Sequence, residues 1–348
     1  MNSLYIASTE GGGGKTTLTV GLCLALRSRG VDAGYFKPVG VAEQGQYDDD
    51  AVFAADILHL AEDPADLCPV VLHDNALRAA VGAAQDDAMD RVVDAFQRSV
   101  AAHDLLICEG LGEIWQGRFL RLSGADVVAR LDLRALLVAK FAGTRQLDDV
   151  CYTHDVLRKR LLGVVFSMVP ETRIEVVEHH YTPFLAENGI VSYGILPSDS
   201  QLLAVPVADI AAALDGRFVV GEEWSGTLAE SYLIGAMSAE HALSYFERAP
   251  AKVVVVGGDR EDLILAALQT PTAALVLTGS YVPTPAVLGR AADAQVAVIS
   301  VDGDTVAAAD GLRRLFGRLR VHEHSKIDRI GQLVEEHVAV DALLAALQ

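Results

Sequence analysis

The chain reads as an α/β protein: a parallel sheet covered by helices on both faces, followed by a smaller unit of the same kind. Three observations carry that reading. Short β-rich apolar runs alternate with stretches of helical period, which is the pattern of strand–helix–strand units. The runs lack polar alternation, as strands buried on both faces do. The chain has 348 residues, 51% hydrophobic and 6% aromatic, enough apolar material for more than one core.

The elements follow in order. "SLYIAS" is a strand, a helix starts at Lys15, and the further strands are "DAGYFKPV", "DLLICEG", "RALLVAK", "LLGVVFSM" and "IVSYGIL", separated by helical segments. The pattern changes across "ALDGRFVVGEEWSG" (213–226), a Gly- and Glu-bearing stretch that reads as a boundary. Beyond it come "YLIGA", a helix through "AEHALSYFERA", "KVVVVGG", a helix from Asp259, "AALVLTG", a helix through "AVLGRAA", "VAVISV" and terminal helices. The expected organisation is a first domain over 1–216, a linker over 217–224 and a second domain over 225–348.

Lys and Arg number 28 against 47 Asp and Glu, a formal charge of −19, so a nucleic-acid partner is not expected. The densest basic stretches, "RKRL" and "RRLFGRLR", read as solvated helix faces. Four scattered cysteines encode neither a zinc site nor a disulfide framework, and no apolar stretch is long enough to span a bilayer. A cytoplasmic protein without a membrane partner is the expectation.

The stretch "STEGGGGKTT" (Ser8–Thr17) directly follows the first strand and opens a helix. A glycine-rich turn there aims backbone N–H groups at one point, and the helix N-terminus adds partial positive charge, so Gly11, Gly12, Gly13, Gly14, Lys15, Thr16 and Thr17 are the expected phosphate cradle. Lys15 reaches terminal phosphates and the Thr16 hydroxyl holds Mg²⁺ in this chemistry. The sheet is therefore expected to be of P-loop NTPase type, with ATP or another NTP and Mg²⁺ as cofactors. Thr9 stands at the first glycine of the G-x-x-x-x-G-K-[ST] pattern. The loop also looks like the K-G-G-x-G-K-T-T loop of partition and septum-positioning ATPases, except that Glu10 replaces the lysine that reaches a partner's nucleotide.

Three further places bear on the chemistry. Lys37 in "GYFKPVG" is either a cation beside the phosphates, a base for a small substrate, or an exposed strand-end lysine; its place at the carboxyl edge of the sheet makes it the candidate catalytic residue. Asp48 and Asp50 in "YDDDAVFAAD" either complement a helix dipole or hold Mg²⁺ or its waters. Glu109, at the tip of "DLLICEGLGE", is either the Mg²⁺-holding carboxylate of a Walker B-like element or a satisfied strand-end carboxylate. His179, His180 and the "HEH" of 322–324 lack a third ligand at useful spacing and read as surface histidines, and "GGDRED" (257–262) reads as an ordinary acidic helix start.

In this order and spacing, "STEGGGGKTT", "YFKPVG", "DDDA" and "CEGLGE" resemble the dethiobiotin synthetase-like N-terminal region of the long bacterial phosphate acetyltransferases. The tail, through "VVVVGGDREDLILAAL", "LVLTGSYVP", "VISVDGDTVAAAD" and "HSKIDRIGQLVEEHV", is similar to DRTGG-type domains, although that string is absent. The resemblance implies Lys15 and Thr16 on phosphate and Mg²⁺, Lys37 on substrate or phosphate, and Asp50 and Glu109 on Mg²⁺. It also implies a base-reading Asn where this chain has Ser167. Acetyl transfer is not expected of these two regions. The expected function is a nucleotide-responsive regulatory protein tied to acetyl phosphate and acetyl-CoA metabolism; a slow ATPase, or an ATP-dependent ligase or phosphotransferase acting on a small carboxylate or amine, is the alternative. A homodimer through the second domain and a metabolic enzyme partner complete the expectation.

Overall fold

Burial on both faces explains why the Val-, Leu- and Ile-rich runs form strands of parallel sheets. The computed structural model describes residues 3–42, 46–72, 86–316 and 326–348. By contacts the chain divides into a first unit, Met1–Ser198 with Val321–Gln348, and a second, Asp199–Arg320.

The first unit begins with β1 (Ser3–Ser8), α1 (Lys15–Ser28), β2 (Ala33–Phe36), α2 (Asp49–Ile57), α3 (Asp86–Ala102) and β3 (Leu105–Glu109). It continues with β4 (Arg134–Lys140), α4 (Arg145–Leu157), β5 (Leu161–Val169) and β6 (Val191–Pro197). The six strands make one parallel sheet in the order β2-β3-β1-β4-β5-β6. The chain goes from β1 to the edge strand β2, returns to β3 beside β1 and crosses to β4 on its other side, so the crevice for a ligand lies at the carboxyl ends of β1, β3 and β4. β1 is buried throughout.

The second unit carries β7 (Arg217–Val220), β8 (Ser231–Ile234), α5 (Ala239–Phe246), β9 (Lys252–Gly257), α6 (Glu261–Ala267) and β10 (Thr272–Thr278). α7 (Pro285–Asp293), β11 (Ala297–Val301) and α8 (Thr305–Phe316) follow. Its sheet runs β7-β11-β10-β9-β8, with β7 antiparallel to β11 and the other pairs parallel. Apolar side chains of β9, β10 and β11 fill a core on each face. Within β9, Lys252 is fully buried and, among the described residues, has no ion pair; it donates to Thr270 Oγ1 and the Pro271 carbonyl, both at 2.8 Å, and burial pulls its pKa down to about 8.

Two expectations are corrected. The stretch 217–224 is not a linker: Arg217–Val220 is strand β7, and the second unit begins earlier, at Asp199, because Leu202, Val205, Val207 and Ile210 are buried, the last three in that unit's core. The chain's end also belongs elsewhere. α9 (Ile327–His337) and α10 (Val340–Leu347) are part of the first unit. Ile330, Leu333 and Val334 recur at helical spacing and are buried, and Gly21 of α1 lets α9 approach so closely that a Cβ there would stand 2.4 Å from Val334. Leu343 and Leu347 line the same apolar pocket as Leu4, Leu22, Leu105 and Ile107, and Gly194 of edge strand β6 bridges to Val338. The expected second domain of 225–348 therefore loses its last helices to the first unit.

Candidate functional site

β1 delivers the glycine loop to the sheet's carboxyl edge. The Thr9 N–H donates to the Val138 carbonyl at 3.1 Å, which extends the pairing with β4 by one residue before the chain turns. Gly12 (φ 70°) and Gly14 (φ 96°) then take left-handed conformations that glycine alone adopts freely, and Gly14 caps α1 without a side-chain hydrogen bond. No side chain at the cap takes up the first N–H groups of α1, so the helix start keeps donors and partial positive charge for an anion.

Lys15 is buried beside the loop, its Nζ donating to Ser8 Oγ at 2.7 Å and to the Gly112 carbonyl at 3.0 Å. Burial pulls its pKa down, Glu109 pushes it back up, and Lys37 adds to the lowering. An incoming phosphate oxygen answers this: it supplies the negative partner that a hydroxyl and a carbonyl replace only in part. Thr16 stands on the other side of the helix start, with Oγ1 at 2.8 Å from Glu109 Oε1 and 3.2 Å from Asp50 Oδ1.

Glu109 ends β3 with 1% exposure and accepts from Tyr35 Oη at 3.0 Å through its second oxygen. Burial raises its pKa to about 7, with Asp50 adding to the rise and Lys37, Lys15 and the Thr16 hydrogen bond opposing it. Gly110 must be glycine here, since a Cβ would lie 2.6 Å from Tyr5 Oη. Lys37 sits among three carboxylates: it is ion-paired with Asp50, 3.1 Å from Asp48 Oδ1 and 3.8 Å from Glu109 Oε1. Burial works against its charge, but Glu109, Asp50 and Asp48 together hold its pKa well above the ordinary range. A lysine so held keeps its proton, so of the readings of Lys37 the structure favours the cation over the base and rules out the exposed strand end.

Asp48 separates from the other two acids. It is the N-cap of α2, its Oδ1 accepting from the Asp50 and Ala51 N–H groups (3.0 and 3.1 Å) and its Oδ2 from the Val41 N–H (2.8 Å). Its oxygens are engaged by three backbone N–H groups and Lys37, so of the two roles expected of it the capping of α2 is the one its contacts show. Among the described residues no group of three His, Cys, Asp or Glu side chains is arranged to hold a metal by itself. Thr16, Asp50 and Glu109 bring together a hydroxyl and two carboxylates, oxygen donors of the type Mg²⁺ takes.

The remaining expected residues fall into place around this cluster. Gly11 is open to solvent, Gly13 is buried with its carbonyl accepting from Ser167 Oγ at 2.6 Å, and Thr17 is buried with no hydrogen-bond partner for its hydroxyl among the described residues. Glu10 faces Lys140 of β4 at 4.0 Å, so the carboxylate that replaces the expected lysine lies near a cation of the same chain. Ser8 opens the expected phosphate-loop stretch and Gly112 closes "CEGLGE", whereas Tyr35 and Lys140 were not singled out from the sequence. Lys140 ends β4, and that position at the sheet's carboxyl edge was its one sequence signal. His179 and His180 are exposed, and "HEH" lies outside the described residues.

Residues 2–205 match the profile of the AAA domain family and residues 209–315 that of the DRTGG domain. The phosphate acetyltransferase of Nitrosomonas europaea is 23% identical over 364 aligned positions, which cover 99% of this chain and 51% of that protein. The ATP-dependent dethiobiotin synthetase of Anaeromyxobacter dehalogenans is 28% identical over 172 residues, 48% of this chain and 77% of that protein. Among solved structures, the MinD cell division protein of Aquifex aeolicus aligns over 58% of this chain and 85% of that one, at 16% identity and a TM-score of 0.37. The chain spans about half the length of the phosphate acetyltransferases it matches. The resemblance drawn from the four motifs and the tail is thus borne out.

Proposed function

The chain belongs to the AAA domain family through residues 2–205, and from that premise we propose that its first unit binds Mg-ATP, or another Mg-NTP, and that occupancy regulates a step of acetyl phosphate or acetyl-CoA metabolism. The observation that carries the proposal is the convergence of Lys15, Thr16, Asp50 and Glu109 on one edge of the sheet, with Thr16 Oγ1 within 3.2 Å of both carboxylates. When bound, Mg²⁺ would supply positive charge between the carboxylates and the phosphates. The chain's own part is to hold it through Thr16, Asp50 and Glu109, to place Lys15 against the terminal phosphates and to keep Lys37 charged beside them. The regulatory reading is supported by the relation to phosphate acetyltransferases, and the place in metabolism comes from that relation alone. The ligase reading is supported by the match to 77% of a dethiobiotin synthetase; phosphate release stimulated by a small carboxylate or amine would favour it.

Glu109→Gln keeps the shape and removes the charge. Titration calorimetry is expected to show Mg-nucleotide binding weakened about 10- to 100-fold, the worth of a hydrogen bond or contact to a charged group, with binding in EDTA changed less. An unchanged Mg²⁺ dependence would return Glu109 to a structural role.

We also propose self-association through the second unit, whose Tyr245, Tyr281 and Val282 are exposed. Sedimentation of the full chain should show a concentration-dependent dimer; a monomer at every concentration contradicts it. The four cysteines are free and, Cys151 apart, buried, which supports a reducing, cytoplasmic setting, and no helix among the described residues is long and apolar enough to cross a membrane.

A further inference from the structure

Ser167 lies near the carboxyl end of β5 with its side chain buried, and its hydroxyl donates to the carbonyl of Gly13 at 2.6 Å. Its own carbonyl accepts from the Phe141 N–H at 2.9 Å, so one residue ties the loop to the ends of β4 and β5. The strand is irregular at this point. Phe166 pairs with Ile195 and Val169 with Pro197, three steps on β5 against two on β6, and the intervening Met168 has φ 52°. That is a β-bulge with a non-glycine residue in the left-handed region, a device that re-aims side chains beside functional sites.

The consequence for the loop follows from peptide geometry. The structure has no cis peptide bonds among the described residues, so the N–H of Gly14 points opposite to the carbonyl of Gly13. Fixing that carbonyl on Ser167 fixes the direction of the Gly14 N–H, at the cap of α1 where the first donors of the helix gather. Four consecutive glycines lose more conformational freedom on ordering than any other run, and one peptide held in advance reduces what ligand binding must order. We propose that Ser167 is a positioning residue of the phosphate loop: aimed by the bulge at Met168, it presets the Gly13–Gly14 peptide for an anion instead of contacting the base. This rests on the nucleotide-binding reading of the same site.

The test is titration of the full chain, in Mg²⁺, with inorganic tripolyphosphate, ATP and GTP, for wild type, Ser167→Ala and Ser167→Thr. The proposal expects Ser167→Ala to weaken tripolyphosphate and ATP by the same factor, about 3- to 10-fold for one hydrogen bond. It expects the ATP-to-GTP ratio to stay constant and Ser167→Thr, which keeps the hydroxyl, to restore binding. A Ser167→Ala chain that binds tripolyphosphate as wild type does, or that changes only the ATP-to-GTP ratio, overturns the positioning role and leaves the nucleotide reading standing. A wild-type chain that binds none of the three overturns that reading and this role with it.

Discussion

A chain ending at Lys326, before α9, is expected to lose the cooperative fold of its first unit. Ile330, Leu333, Val334, Val340, Leu343 and Leu347 are all buried, and they cover α1 and the β1–β3 region of the sheet. Burying such a side chain stabilises by about 1.5–3 kcal/mol, so these six contribute on the order of 9–18 kcal/mol, an upper bound against an extended reference. A domain's whole net stability is about 5–15 kcal/mol, so the loss is of the same size as the stability it is taken from. The ion pairs of Arg29 with Glu335 and Asp341, at 2.7 and 3.0 Å, tie the same helices at the surface, and Arg29→Ala should lower stability by no more than about 1 kcal/mol. Thermal melting followed by near-ultraviolet circular dichroism distinguishes the two. A truncated chain that melts cooperatively at the full-length temperature would show that α9 and α10 are not part of this core.

Lys15→Ala is expected to abolish stabilisation by Mg-nucleotide while leaving the ligand-free melting temperature nearly unchanged. In the wild type, nucleotide at a hundred times its dissociation constant raises stability by about 2.7 kcal/mol. Without ligand, the direct partners of Lys15 among the described residues are a hydroxyl and a carbonyl, and burial lowers its pKa. A group with its folded pKa below the unfolded value opposes folding while it is charged, so the substitution removes an unfavourable charge together with two hydrogen bonds. The two effects oppose each other in the free protein, whereas only the loss counts in the complex. A variant that keeps the full nucleotide-induced shift contradicts the role; one that melts far below wild type without ligand shows Lys15 to be structural.

Much of this was legible because the chemistry is local in sequence. The strand, glycine loop and Lys15-Thr16 occupy adjacent positions, and strand tips carry Lys37 and Glu109 to the same edge. Whether a carboxylate caps a helix or meets side chains is decided by backbone amides that a sequence does not display, and so Asp48 and Asp50, two residues apart, took the same expectation and have different surroundings, Asp48 on backbone N–H groups and Asp50 on Thr16 and Lys37. Ser167 was legible only as a departure from its relatives. The register of β5 beside it shifts by one extra residue, which periodicity does not reveal. The return of α9 and α10 to the first unit was not legible at all, since an amphipathic helix records that it has an apolar face and not which sheet that face covers.

The central claim, nucleotide held by the glycine loop with Mg²⁺ on Thr16, Asp50 and Glu109, is tested most directly by calorimetric titration of the full-length protein with ATP and GTP, each in Mg²⁺ and in EDTA, alongside Lys15→Ala. The account expects saturable one-to-one binding of at least one nucleotide, tighter in Mg²⁺ than in EDTA and absent from the variant. No binding of either nucleotide to the wild type, or equal binding by Lys15→Ala, would contradict it.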